Sequence, residues 1–293
     1  MMSANASTTN SSSQQRLLAV LAHPDDESFG PGGTLALYAQ RGAEVTLICA
    51  TRGEVGSLPA EMDGKVDDIA ALREHELRCA AKILGLNDVI FLGYRDSGMP
   101  GSSDNQHPNA LCAAPVEEVA EKVEEHIRSI KPHVIITFDP IGGYHHPDHI
   151  AIQRATLLAF NNASSENSNF ENLPPHQAQK LYYHTFPRRL MKFAVRLLPL
   201  LGQDPTGFGR NNDIDLLAIT KEDFPVHARI NYRPVADKKE AASACHHSQQ
   251  DPGTQPFWRV IERVIGSKEN FMRAYPPAPD GLQERDLFKG VTD

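Results

Sequence analysis

Short apolar segments alternate with helical segments over the first 160 of this chain's 293 residues. The apolar segments are continuous rather than alternating with polar residues, which is the pattern of strands covered on both faces. Strands separated by helices predict a parallel sheet between two helical layers. We therefore predict an α/β fold, a Rossmann-like three-layer sandwich with a mostly parallel sheet. The predicted strands are residues 17–22, 45–50, 89–92 and 134–138.

Helical periodicity is clear between these strands. A helix is predicted over residues 31–41, and a second apolar stripe over residues 69–84 stops at Gly85, a typical C-terminal signal. The strongest pattern begins after Pro115, where apolar residues recur at intervals of three and four while acidic residues occupy the other face. These helices are the connections that a parallel sheet requires.

The second half of the chain is less regular. Residues 161–180 are polar and rich in turn formers, which predicts a surface loop or an insertion. A strand is predicted over residues 181–186, and helical segments over residues 187–201, 236–249 and 256–265. We interpret residues 1–16 as a disordered tail and residues 17–293 as a single domain. Within it, residues 17–160 form the Rossmann-like core, and residues 161–293 form a C-terminal elaboration over the active-site edge.

Composition excludes several classes of function. The 37 acidic residues outnumber the 29 basic ones, which argues against a nucleic-acid partner. No apolar run approaches the length of a membrane span, and the polar N-terminus lacks the pattern of a secretory signal. The four cysteines are scattered, as expected of reduced and mostly buried thiols. A cytoplasmic globular enzyme is predicted; the sequence leaves open whether it forms a homo-oligomer.

Two clusters of metal-competent side chains each follow a predicted strand. Residues 23–27 (HPDDE) come after the first strand, and residues 145–149 (HHPDH) come shortly after the fourth. In open parallel sheets, ligands bind at the carboxyl ends of the strands. Each cluster alone has a plainer explanation, because a histidine before proline is a common turn residue and acidic residues often cap helices. Two clusters at equivalent strand ends favour a metal site.

The residue types fit a catalytic zinc ion, which is held by three nitrogen or oxygen ligands and a water. Pro147 suits the first position of a helix, and on that helix His146 and His149 would face the same way. A turn after the first strand could present His23 and Asp26 together, with Asp25 beside them. A carboxylate that does not bind the metal is then free to act as a base.

The segments AHPDDE and GGYHHPDH together resemble the motifs of the PIG-L/LmbE-like family of zinc-dependent N-deacetylases. Further similar segments are TRGEVGS, LREHELRCAAKILGL, LGYRDSGM and CHHSQ. The resemblance is close over residues 17–160 and looser beyond. It implies a hydrolase that removes the acetyl group from an N-acetylglucosaminyl conjugate, a small-molecule substrate. Family substrates include phosphatidylinositol, mycothiol-precursor and bacillithiol-precursor glycosides.

The resemblance also implies a metal-binding set. His23, Asp26 and His149 would be the zinc ligands, and Asp25 would be the general base that later protonates the leaving amine. Iron(II) is an alternative metal, since a His/Asp set suits both ions. His145 departs from the family pattern, in which a small residue occupies this position.

Other matching positions would serve the substrate. By the resemblance, His146 stabilises the tetrahedral oxyanion and is oriented by Asp148, while Tyr144 helps to polarise the amide carbonyl. Arg73 and Asp96 match positions that hold sugar hydroxyls. From the residues alone, Arg73 is equally explained as a solvated partner of a neighbouring glutamate, and Asp96 as part of an ordinary turn.

Two other functions and the role of one segment are left open by the sequence. The same metal site would serve an amidase that acts on a mycothiol-type S-conjugate or another amide. A non-catalytic sugar- or metal-binding module is disfavoured, because binding alone does not need both Asp25 and His146. The basic segment 187–201 fits a membrane surface, a lid or an oligomer contact. Residues 30–33 lack the GxGxxG spacing of a dinucleotide-binding loop.

Overall fold

A seven-stranded sheet forms the centre of the protein, with the spatial order β3-β2-β1-β4-β5-β7-β6. The computed structural model describes residues 14–62, 64–166, 170, 172–186, 192, 195–201, 204–207, 215–250 and 266–292. The strands are β1 (Arg16–Leu21), β2 (Glu44–Thr51), β3 (Asp88–Tyr94), β4 (Val134–Phe138), β5 (Lys180–Thr185), β6 (Ala228–Asn231) and β7 (Lys268–Tyr275). The first five are parallel, whereas β7 runs antiparallel to both β5 and β6.

The predicted α/β fold with a mostly parallel sheet is confirmed. Each strand predicted in the first half is present, with bounds that differ by at most two residues. Leu17 on β1 pairs with Val45 on β2 and with Val134 on β4, and all three are fully buried. Continuous apolar strands therefore lie in the sheet centre because helices cover both of its faces.

The described helices are α1 (Asp26–Phe29), α2 (Gly32–Gln40), α3 (Ile69–Leu84), α4 (Val116–Ile130), α5 (Gly142–His145), α6 (Pro147–Asn162), α7 (Leu216–Ile219) and α8 (Ala236–Cys245). Helix α4 packs against α6, and α3 packs against both α2 and α8. Helix α3 begins at the cap residue Asp68, whose carboxylate accepts the N–H of Ala71, and ends at left-handed Gly85. Its bounds match the predicted stripe.

The chain order places a crevice beside β1. From β1 the chain builds β2 and β3 on one side, then returns to form β4 on the other side. Ligands of such sheets bind where the strand order reverses, at the carboxyl ends of the two central strands. The two histidine-containing clusters follow β1 and β4, so both are delivered to this position.

The C-terminal half differs from the sequence predictions at several points. Strands β6 and β7 were not predicted, and helix α8 ends at Cys245 rather than continuing to residue 249. Cys79 and Cys245 form a disulfide, so the expectation that all four cysteines are reduced is wrong. The pairing joins α3 to α8 across 166 residues of sequence, a separation that cysteine spacing alone does not reveal.

Some predictions fall on residues that the structure does not describe. They are most of the N-terminal tail, residues 187–191, 193 and 194 of the basic segment, and the predicted helix 256–265. Within the described ranges, none of the helices has both the length and the apolar composition needed to cross a bilayer.

Candidate metal centre

The turn after β1 is closed by its own aspartate. One carboxylate oxygen of Asp26 accepts the backbone N–H groups of His23, at 2.7 Å, and Ala22, at 3.2 Å. This bonding folds the chain back on itself, so that the His23 and Asp26 side chains lie on the same side. Between them, Asp25 has a φ of 139°, a region that L-residues rarely adopt. Such strain is typical of functional sites.

The turn after β4 fixes a second histidine. Nδ1 of His149 donates a hydrogen bond to the carbonyl oxygen of Gly142 over 3.1 Å. Because a carbonyl can only accept, this bond leaves the lone pair of His149 Nε2 free. The imidazole of His149 also stacks on the ring of Phe138, with centroids 3.9 Å apart. His149 is therefore held in one orientation with one nitrogen directed away from its supports.

Three ligand groups converge between the two turns. His23 Nδ1 lies 3.2 Å from His149 Nε2. The Asp26 carboxylate lies 3.5 Å from His23 Nδ1 and 3.3 Å from His149 Nε2. Zinc–nitrogen bonds of about 2.1 Å in tetrahedral geometry place neighbouring ligand atoms about 3.4 Å apart. The Asp26 distances involve Oδ2 for His23 and Oδ1 for His149, so the donor types and their separations are compatible with a zinc ion between the three side chains.

The outer nitrogen of His23 has a carboxylate partner. His23 Nε2 lies 3.1 Å from Asp148 and 3.5 Å from Asp96. Asp148 is fully buried and also accepts the backbone N–H and the hydroxyl of Ser97. A histidine that binds a metal usually donates its second N–H to such a group, which leaves its other nitrogen for the ion. His23 has this arrangement.

Asp148 contacts His146 through its backbone. His146 caps helix α6, and its Nδ1 accepts the backbone N–H of Asp148 at 3.2 Å, while the Asp148 carboxylate lies on His23. The neutral ring then carries its proton on Nε2, where it is a hydrogen-bond donor. The nitrogens of His146 also lie within 4.8 Å of those of His23 and His149.

The centre is rich in negative charge. Burial by itself lowers the pKa of His23, but Asp96, Asp148 and Asp26 together raise this pKa well above its ordinary value. Burial works against ionisation of Asp26, yet His149 and His23 hold its pKa well below the usual range. The histidines and carboxylates of this cluster thus favour each other's charged forms.

Asp25 stands beside these ligand groups in a different environment. Burial raises the pKa of Asp25 to about 6, against the opposing effect of Arg73. One terminal nitrogen of Arg73 donates to the Asp25 carboxylate at 3.1 Å and to the carbonyl of Pro24 at 2.8 Å. Its other terminal nitrogen donates to Gly53 and lies 3.8 Å from Asp96.

Arg73 is thus a buried partner of Asp25 rather than a solvated partner of a neighbouring glutamate. It is only 3% exposed, and Glu74 pairs instead with Arg52 and Arg78. Asp96 is also buried, and its carboxylate accepts the N–H of Gly98. Both residues lie beside the ligand groups, Arg73 against Asp25 and Asp96 against His23, and their contact with sugar hydroxyls stays a prediction.

The remaining predicted residues lie at the rim. Tyr144 is half-buried, and its ring meets those of His146 and His149 edge-on, with centroids 5.8 and 5.0 Å away. Its pKa is raised, chiefly by burial and further by Asp26. His145 is half-buried and has a φ of 68°.

Two functional neighbours were not anticipated. Ser97 anchors Asp148, although the segment that contains it had been noted only for Asp96. His246 was not among the predicted site residues, and it is fully buried and contacts Glu27, the neighbour of Asp26 in sequence. Nothing in the local sequence around residue 246 pairs it with Glu27, because the two are 219 residues apart.

Comparison with known proteins gives one family. The family model described as PIG-L, GlcNAc-PI de-N-acetylase, matches residues 18–160. A Thermobifida fusca protein named 1D-myo-inositol 2-acetamido-2-deoxy-alpha-D-glucopyranoside deacetylase is 37% identical over 291 residues. The alignment covers 94% of this chain and 99% of the relative.

Solved structures share the fold at low sequence identity. The N,N'-diacetylchitobiose deacetylase of Pyrococcus horikoshii superposes with a TM-score of 0.63 at 21% identity, covering 95% of this chain and 86% of that one. The 4-carboxy-2-hydroxymuconate hydratase GalB of Pseudomonas putida KT2440 has a TM-score of 0.60 at 19% identity, with 92% and 100% coverage. Because a hydratase shares this fold with a deacetylase, the fold alone does not specify the reaction.

Proposed function

The chain belongs to the PIG-L family of de-N-acetylases, and from this membership we propose the reaction that its site performs. The enzyme hydrolyses the acetamide of an N-acetylglucosaminyl conjugate and releases acetate and a free amine. We propose a myo-inositol aglycone, because the 37%-identical Thermobifida fusca relative is named for that glycoside and aligns over nearly its whole length.

His23, Asp26 and His149 would hold the metal, with the two histidines binding through Nδ1 and Nε2 respectively. Their mutual distances of 3.2 to 3.5 Å support this set, as does the hydrogen bond that each histidine makes through its other nitrogen. A zinc ion supplies a Lewis acid for the amide carbonyl and lowers the pKa of the attacking water. Iron(II) suits the same ligands.

Asp25 acts as the general base. Its carboxylate is held by Arg73 and lies next to Asp26 in sequence without sharing the Asp26 contacts. In this position it takes a proton from the attacking water and returns it to the leaving nitrogen. The proton gained in the first step is the proton needed in the second, so one carboxylate serves both.

His146 and Tyr144 would face the developing negative charge on the amide oxygen. The N–H of Asp148 occupies Nδ1 of His146, which leaves Nε2–H as the donor. Burial, together with the nearby His23 and His149, lowers the pKa of His146 well below its usual value. A neutral imidazole donates a hydrogen bond without adding charge to the centre. Loss of one such donor typically costs about 10²–10³ in rate.

The observation that carries this proposal is the convergence of His23, Asp26 and His149, with Asp25 directly beside them. The test is fluorescent detection of free amine from zinc-loaded protein given N-acetylglucosamine, its inositol glycoside or its malate glycoside. We expect amine from the inositol glycoside and its loss with a chelator. Release of amine from the malate glycoside and not from the inositol glycoside would refute the proposal of a myo-inositol aglycone.

Zinc binding without amine from any glycoside would refute the deacetylase. An amide that links glucosamine to a larger acyl group would then be the next substrate to test. The cytoplasmic location and the oligomeric state stay predictions.

A further inference from the structure

A fully buried ion pair lies behind the metal centre. Nε2 of His246, which directly follows helix α8, is 2.7 Å from one carboxylate oxygen of Glu27 in helix α1. Both side chains have no exposed surface. A carboxylate buried to this degree requires a partner that compensates its charge. The hydroxyl of Ser28 donates to the same oxygen, and His246, from the opposite end of the chain, is the contact that can carry a compensating positive charge.

The other oxygen of Glu27 supports the general base. It accepts the backbone N–H of Asp25 at 3.0 Å. Asp25 is the residue with a φ of 139°, and this hydrogen bond ties its backbone N–H in that conformation. Its carbonyl oxygen accepts the N–H groups of Ser28 and Phe29. Arg73 fixes its carboxylate. Among side chains, Glu27 thus supports the backbone of the base and Arg73 supports its carboxylate.

The segment that carries His246 is itself fixed on both sides. The preceding residue, Cys245, is joined by the disulfide to Cys79 on helix α3. Two residues further on, the backbone N–H and hydroxyl of Ser248 donate to Glu76 on α3, at 2.9 and 2.6 Å. Helix α3 also carries Arg73, so the contact between α3 and the end of α8 joins the elements that carry the Arg73 and His246 side chains.

We propose that His246 is a positioning residue of the deacetylase, which acts through Glu27 to hold Asp25 in the geometry of proton transfer. This inference rests on the proposed role of Asp25. The His246–Glu27 pair does not hold the proposed ligand Asp26, because the N–H groups of Ala22 and His23 anchor the Asp26 carboxylate. Loss of His246 should therefore affect turnover and spare metal binding.

The first test compares His246→Leu with His246→Gln in the zinc-loaded, full-length protein. A misplacement of about 1 Å at a reacting group costs about 10²-fold in rate, so we expect His246→Leu to lower kcat by about that factor. KM, the zinc affinity measured by calorimetry and the zinc stoichiometry should stay at wild-type values. A glutamine amide can occupy the place of Nε2 and donate to Glu27, so His246→Gln should recover most of the loss.

The matched control is His247→Leu. His247 is the next residue and is exposed, so the same substitution there should leave kcat, KM and zinc binding unchanged. Wild-type kcat in His246→Leu would overturn the proposal. A fall in zinc affinity equal to the fall in kcat would also overturn it, because the residue would then support the ligands rather than the base.

A double variant covers the case in which His246→Leu fails to fold. Removing one member of a buried pair leaves an uncompensated charge, whereas replacing both members with apolar residues is often tolerated. We expect Glu27→Leu/His246→Leu to fold and to have a kcat about 10²-fold below wild type.

Residues that act as one unit have non-additive effects, so the double variant should lose no more than Glu27→Leu alone. Losses that multiply would overturn the proposal. An inactive wild-type protein would instead refute the proposed function itself.

Discussion

The segments after β1 and β4 and the C-terminal segment from residue 227 to 292 contribute different kinds of residue to the same site. The first two supply every group that is proposed to bind metal or move a proton. The C-terminal segment supplies none of these groups, but its side chains contact the backbone and charges that hold them. The reacting groups therefore come from two short segments that each follow a strand of the parallel sheet, whereas several of their supports come from the C-terminal end of the chain.

Helix α2 shows the same division of roles. It follows the first metal-binding turn and begins at Gly32 without a side-chain cap from its own sequence. Glu269 on β7 provides the cap, because its carboxylate accepts the N–H groups of Gly33, at 2.9 Å, and Thr34, at 2.7 Å. Lys239 on α8 neutralises that carboxylate at 2.6 Å. A strand and a helix from the C-terminal segment therefore complete a helix near the N-terminus.

The largest expected effect is on catalysis in the first region. Asp25→Asn removes the proton acceptor and should lower kcat by about 10²–10⁴, the usual contribution of a general base. Zinc stoichiometry measured by calorimetry should remain that of wild type, because Asp25 is not among the proposed ligands. Wild-type turnover in this variant would show that Asp25 is not the general base.

A substitution in the C-terminal segment should instead affect stability. Glu269→Ala removes the carboxylate that pairs with buried Lys239, and it removes the cap of the Gly33 and Thr34 N–H groups at the start of α2. The free energy of unfolding in urea should fall by about 3–5 kcal/mol, with little change in kcat of the folded fraction. The matched control is Glu240→Ala, because Glu240 is an exposed glutamate on α8. This variant should change the free energy of unfolding by less than about 0.5 kcal/mol. Equal losses would contradict the supporting role of Glu269.

The disulfide between α3 and α8 should have a smaller effect on stability. Cys79→Ser removes a crosslink that closes a long loop, and a fall of about 2–4 kcal/mol in the free energy of unfolding is typical of such a change. A reductant should destabilise the wild-type protein to the level of Cys79→Ser and leave the variant itself unchanged. If the reductant destabilises both proteins equally, loss of the Cys79–Cys245 crosslink is not the cause of the destabilisation.

The smallest predicted effect concerns pH. His184 on β5 packs against Phe186 and Phe271, and its burial lowers its pKa to about 4. The folded state keeps this ring neutral while the unfolded chain protonates it near pH 6.5, so the unfolded state binds more protons and stability falls as pH decreases between these values.

His184→Phe should reduce this loss by about 2 kcal/mol between pH 6.5 and pH 5. Urea unfolding of both proteins at the two pH values measures how much each loses in free energy of unfolding. The contributions of the other titrating groups are the same in both proteins and cancel in the comparison. Parallel pH profiles would show that His184 does not contribute.

The elements of the parallel half were predictable because each has a strong local signal. Strand β4 is a continuous apolar run, and α4 has a complete amphipathic stripe. Strand β7 has no such signal, since Lys268–Tyr275 mixes charged and apolar residues and is only partly buried. Its conformation is set by antiparallel pairing with β5 and β6, which lie far from it in sequence.

The sequence by itself determined which chemistry the site can perform. Histidine and aspartate side chains after β1 and β4 must meet, because parallel strands place their carboxyl ends at one edge of the sheet. Only the tertiary structure decided which atoms face each other. It placed the Asp148 carboxylate on His23, turned Arg73 towards Asp25 and brought His246 to Glu27. These contacts join segments that are distant along the chain, and a local pattern carries no information about the packing that brings them together.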